Sequence, residues 1–238
     1  MSNEINVNIP AGQDQVKVFT GTAECYQLKG AKFDIESTQS MIDLINRKSN
    51  KEVAMILYNE NGIKTILDDT ISNRTKDIAY FQFNASLQLK EWKRILKNGL
   101  TQKEFVNFLK LREDEEIQDI ENIMANIQKL KIDTKIAGEY EDDGNNVTFV
   151  FKSKDGEEMS KLPKLIYAQM PIIHDGKEFK LEFELELIKP KTEEEKPRFV
   201  VSCPKLERYW KQAVESEIDA LKEALDGYLI LNGSTESR

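Results

Sequence analysis

The chain has 238 residues, 39% apolar and 32% charged, with Lys+Arg 34 against Asp+Glu 42 and a net charge of −8. That is the composition of a folded protein with enough apolar residues for a core, and its acidic balance gives no overall attraction to nucleic acid or anionic lipid. Two cysteines far apart, without a CxxC or Cys/His cluster, argue against a zinc centre and a disulfide scaffold, and no apolar run approaches the ~20 residues of a membrane-spanning helix. The first residues, MSNEINVNIP, lack a basic stretch followed by an apolar one, so no secretory signal is expected and the cytoplasm is the expected location.

In chain order, residues 1 to 24 are polar without a sustained period and read as an arm, with a short strand at 16–19. Residues 32–35 read as a strand. Ser37 then caps a helix with Met41, Ile42, Leu44 and Ile45 on one face. The apolar runs 53–58 and 63–67 flank Asn59-Glu60-Asn61-Gly62, whose Asn-Gly predicts a β-hairpin with positive φ in the turn. Residues 68–76 are polar and loop-like. IAYFQF at 78–83 is apolar on both faces, as in a central strand covered on both sides.

Ser86 caps a short helix with Leu89, Trp92, Ile95 and Leu96 inward, ended by Gly99. Thr101 and Glu104 form a T-x-x-E capping box, with Leu100 and Phe105 placed as a hydrophobic staple. Phe105, Phe108 and Leu109 bury the helix that follows. After the acidic run 113–116, Ile117, Ile120, Met124 and Ile127 recur at helical spacing. They predict a separate helix of about four turns that bridges the two halves, with this stripe as a candidate oligomer contact. GEYEDDGNN at 138–146 reads as a loop and as the boundary between a first α+β region, 25–137, and a second, 138–233.

In the second region 147–151 is a strand with Val147, Phe149 and Phe151 on one face, turned by Asp155-Gly156. Residues 165–173 form the next strand, and Asp175-Gly176 the next turn. FKLEFELEL at 179–187 alternates strictly, so Phe179, Leu181, Phe183, Leu185 and Leu187 share one face. With Asp175 and Gly176 as a two-residue loop, Ile172 faces Phe179, Met170 faces Leu181, Ala168 faces Phe183 and Ile166 faces Leu185. The other face sets Tyr167 against Glu184 and Leu165 against Glu186, which predicts that Glu182 and Glu184 are partly covered, by the arm or by another subunit. KPKTEEEK at 189–196 is a charged loop, and 199–202 a last short strand. Pro204 marks the first residue of a long helix whose buried stripe is Trp210, Val214, Ile218, Leu221 and Leu225, with Gly227 at C′. Residues 228–231 form a short apolar segment, and 234–238 a disordered tail. The fold class is α+β: antiparallel sheets with segregated helices and a C-terminal β-meander covered by a long helix, the two regions packed as one unit.

No motif carries an evident chemistry. There is no phosphate-binding glycine loop, GxSxG, HExxH or EF-hand pattern. Glu182, Glu184 and Glu186 point one way, but such rows are ordinarily solvated or ion-paired. His174, the sole histidine, sits at a hairpin turn beside Asp175. Pairing it with Cys203 has no spatial warrant in the sequence. Asp68, Asp69 and Asp77 read as a polar loop rather than a cation site. Lys90, Lys93, Arg94 and Lys97, around Trp92, form the most basic face, a candidate nucleic-acid surface whose ordinary reading is the outer side of an amphipathic helix.

The order of segments is informative: FDIESTQSMIDLINRK, VAMILYNENG, DIAYFQFNASLQLKEWKRIL and LTQKEFVNFLKLREDEEI, then LPKLIYAQMPIIHDGKEFKLEFELELI, FVVSCPKLERYWKQAVESEI and LILNG. It resembles the YfdQ-like family of phage and prophage proteins over roughly residues 30 to 232. The resemblance implies a phage or prophage origin and brings no catalytic residues or cofactor. With no catalytic constellation, a polar arm and a spare amphipathic helix at 117–130, the expected function is that of a non-catalytic phage or prophage protein acting by homo-oligomeric self-assembly. The alternatives are an early protein that binds a host defence factor, and an accessory single-strand-binding protein of phage recombination or replication. An enzyme with an unrecognised site ranks last.

Overall fold

A computed structural model describes residues 30–70, 76–112, 115–129, 140–142, 146–153, 156–188 and 198–233. The arm at 1–24, Cys25, the loop at 189–196 and the tail at 234–238 lie outside the described residues. The elements begin with β1 (Lys32–Ile35), α1 (Thr38–Lys48), β2 (Met55–Asn59), β3 (Gly62–Ile66), β4 (Ile78–Gln82), α2 (Leu87–Ile95), α3 (Gln102–Lys110) and α4 (Ile120–Lys129). They continue with β5 (Tyr140–Asp142), β6 (Asn146–Ser153), β7 (Gly156–Pro163), β8 (Leu165–Pro171), β9 (Glu178–Ile188), β10 (Arg198–Ser202), α5 (Leu206–Ala224) and β11 (Leu229–Asn232). The fold is α+β. Three sheets have the orders β1-β4-β3-β2-β11, β10-β9-β8 and β5-β6-β7. The second and third are antiparallel, but the first is mixed, because β1 runs parallel to β4 and β11 parallel to β2.

The cap signals form as the sequence predicts. Ser37 accepts from the Ser40 N–H and Ser86 from the Leu89 N–H, and both halves of the Thr101/Glu104 capping box are present. The stops differ. Leu96 caps α2, and the left-handed residue after it is Lys97 at φ 62°, not Gly99. α5 starts at Leu206, two residues beyond Pro204, and its left-handed glycine, Gly227 at φ 81°, follows Leu225 one place later than C′.

The hairpin β2–β3 forms for a different reason from the one its Asn-Gly suggests. No left-handed residue occurs in the turn. Instead the Asn59 side-chain oxygen accepts from the N–H groups of Asn61 and Gly62 at 2.8 and 3.2 Å. Gly62 is needed for close approach: a Cβ there would lie 2.2 Å from the Phe81 carbonyl oxygen on β4. Strand β4 is internal, but only its Ala79 and Phe81 side is buried, with Phe83 just beyond it, while Tyr80 and Gln82 face outward. The predicted two-sided cover is absent, and α1, which packs against β4, also packs against α5.

The β8–β9 pairing departs from the predicted register by two residues. Met170 pairs with Phe179, Ala168 with Leu181 and Ile166 with Phe183. The apolar faces still coincide, since a shift of two preserves the pleat. The cause is visible at the turn: the end of the predicted strand leaves β9 to bond elsewhere. Ser86 N–H donates to the Ile172 carbonyl, His174 N–H donates to the Asn84 carbonyl, and Ile173 bridges Ala85. Asp175, at φ 55°, supplies the turn in place of glycine.

The helix cover of this meander is also different. Trp92 of α2 stacks on Phe183 at 4.0 Å, and Phe105 of α3 on Phe199 at 5.3 Å. α5 touches β9 but packs mainly against α1, and it returns the chain to the first sheet as β11. That return, with one core cluster reaching from Met41 to Leu225, ties the two predicted regions together. Two further strands lie where none was predicted, β5 within the supposed boundary loop and β7 at Gly156–Pro163.

Candidate interaction surfaces

Lys90, Lys93, Arg94 and Lys97 are all exposed, because α2 turns Leu89, Trp92 and Ile95 inward. Lys93 Nζ lies 5.4 Å from the centre of the Trp210 ring. Both residues line a groove of about 630 Å³ between α5, the tip of the β2–β3 hairpin and the end of β11. The groove also carries Lys211, and against these two lysines stand the carboxylates of Glu60, Glu207 and Glu215. It is therefore not a basic channel for a phosphate backbone.

The stripe predicted as an oligomer contact is used inside the chain. Ile120 and Ile127 are buried on α4, beside α3 and β7. Ile117 precedes the helix and is buried in a bridge to Ala168. Met124 alone of the four retains more than slight exposure. The helix thus starts at Ile120 rather than at Ile117, and its apolar face is not free for a second copy.

The remaining polar candidates have structural partners. His174 is half exposed, with Asp175 at 3.7 Å. Cys203 is buried, and burial with the nearby Glu184 and Glu182 charges pushes its thiol up to about 11, the opposite of an activated nucleophile. Asp68 accepts from Thr70, Asp69 pairs with Lys76, and an Asp77 oxygen accepts from the Ala31 N–H at 2.8 Å. Among the described residues no group of three metal-capable side chains comes together. Glu182 is partly covered and pairs with Lys205 of the same chain, while Glu184 is exposed and accepts from the Ser202 hydroxyl at 3.2 Å. The cover identified for Glu182 is therefore the residue just before α5.

One polar group that the sequence hid in an acidic run is Glu116. Its oxygen accepts from Trp92 Nε1 at 2.7 Å, with an Arg112 guanidinium nitrogen at 3.7 Å, and Arg112 also pairs with Glu91. Burial raises the Glu116 carboxyl above the usual range, opposed by the Trp92 hydrogen bond and the Arg112 charge. This cluster joins α2 to the end of α3. The sequence marks Trp92 as inward but gives no sign of its partner.

The sheet edges differ more than any pocket does. The outer edge of β10 is taken by 96–100: Lys97 N–H donates to Val201, and Leu100 and Phe199 exchange bonds, each at 2.8 Å. The outer edge of β8 is taken by the loop before α4, where Gln118 N–H donates to Tyr167 at 3.0 Å and Gln169 N–H donates to Glu116 at 2.7 Å. β1 carries exposed, opposite charges at Lys32 and Asp34. β11, by contrast, reads Leu-Ile-Leu-Asn, pairs among the described residues only with β2, and leaves Leu229 49% and Leu231 44% exposed. Charge and proline are missing from its sequence, and no described segment covers its outer edge.

No family model, curated protein or solved structure matches this chain. No helix among the described residues is long and apolar enough to cross a membrane.

Proposed function

We propose that this chain is a non-catalytic phage or prophage protein that works by assembling with copies of itself. The observation that carries the reading is the exposed, uncharged edge strand β11 in a fold whose second sheet has both edges covered. The YfdQ-like resemblance supports the phage setting. The mixed charge of the Trp210 groove makes it a weaker support for single-strand binding through Lys90, Lys93, Arg94 and Lys97. Sedimentation velocity over a concentration series tests the proposal. Reversible growth in mass with concentration is expected, and a monomer throughout, up to high micromolar concentration, abandons it.

A further inference from the structure

From the geometry of β11 we infer how two copies meet: antiparallel, edge to edge, about a two-fold axis at Ile230. The inference rests on the self-assembly reading and adds the surface, the symmetry and the register. Gly233 N–H donates to the Tyr58 carbonyl at 2.9 Å, and β11 is parallel to β2. In a parallel ladder alternate residues bond to one neighbour. Leu229, Leu231 and Gly233 therefore bond inward to β2, which aims the N–H and C=O of Ile230 and Asn232 outward at the free edge.

An antiparallel copy centred on Ile230 exchanges two backbone bonds across the Ile230 pair. The same register sets Leu229 of each copy opposite Leu231 of the other, on the open face, and Ile230 opposite Ile230 on the helix-covered face. The Ile230 pair and the two Leu229–Leu231 pairs beside it are then apolar on both sides. Moving the axis to Leu231 would oppose Ile230 with Asn232, which wastes that match. A second copy is favoured over a charged partner because Leu229–Asn232 carries no charge, although the whole chain is at −8.

Four residues at about 3.3 Å each make an edge of roughly 13 Å. That is well short of the ~800 Å² per partner of a standard interface, so the association is reversible and roughly micromolar.

Two proteins, Leu229→Cys and Leu231→Cys, each with Cys25→Ser, test the register; both sites are exposed, and Cys203 is buried. Under mild oxidation, a mixture is expected to give a disulfide dimer, and each protein alone is not. A dimer from Leu231→Cys alone, or none from the mixture, overturns the register. The double variant Leu229→Lys/Leu231→Lys is expected to weaken association at least about tenfold by sedimentation, with an unchanged circular dichroism spectrum. If it assembles like the natural chain, β11 is not the interface while self-assembly stands. If the natural chain itself is monomeric at every concentration, the functional reading fails instead.

Discussion

In the second sheet both outer strands are closed by the chain itself, β10 by 96–100 and β8 by the loop around Ile117. In the first sheet, among the described residues, β1 is guarded by its charges alone and β11 by nothing comparable. The closing segments make one or two bridges each and flank α3, and the rings on either side of the first of them, Trp92 and Phe105, stack on Phe183 and Phe199 of the meander. The difference separates two uses of a strand edge. An edge satisfied internally contributes to stability, and one left open is available for association.

Substitutions in the closed region should therefore change stability and leave assembly alone. Trp92→Ala should have the largest effect. It removes a fully buried ring stacked on Phe183 and the donor to Glu116, for a loss of about 3–5 kcal/mol by urea denaturation. Trp92→Phe should keep part of the packing and isolate the cost of the unpaired Glu116. Gly62→Ala comes next, at about 3 kcal/mol, because the new methyl would meet the Phe81 carbonyl; Gly233→Ala, with nothing within 4 Å, should be near neutral as a control. Thr101→Ala should cost about 1 kcal/mol by removing the cap immediately after the segment that closes β10. At the open edge, Leu229→Ser and Leu231→Ser should change unfolding by no more than about 0.5 kcal/mol while loosening association.

The buried cluster adds a dependence on pH. The folded-state carboxyl of Glu116 lies above its ordinary value of 4.5, so the native state holds that proton more tightly than the unfolded chain. Its contribution is fully present below the unfolded value and is lost as pH rises through the folded one. Relative to Glu116→Gln, the natural chain should lose stability as pH rises from about 4 through the raised value, and run parallel to the variant above it. Urea midpoints at a series of pH values check this. A constant difference between the two proteins across the whole range would mean that Glu116 does not titrate in the folded chain as described.

Strict periods and local caps were legible in the sequence. The alternation of β9, the caps at Ser37, Ser86 and Thr101, and the α5 stripe from Val214 to Leu225 each depend on residues near one another in sequence. What escaped depends on distant partners. The β8–β9 register was unreadable to within two residues because pleat parity is identical in both alignments, and the deciding bonds come from Asn84 and Ser86. β7 showed no alternation to count. Ile117 matched a helical period that it does not occupy, since its place is set by Ala168 across the β8 edge. The candidate surface was equally hidden: residues 228–231 read as an apolar segment, but nothing in them announces a parallel partner at Met55–Asn59.

That parallel pairing also orders events in time. β11 is synthesised after every other described strand, yet its partner β2 is among the first. Until α5 has formed and turned at Gly227, the β2 edge with Met55 and Leu57 has no neighbour on that side. Contacts of such sequence separation form slowly, because a long loop must close before they are rewarded. The free β11 edge therefore exists only once that long loop has closed, and a chain in which it is open would present β2 in its place.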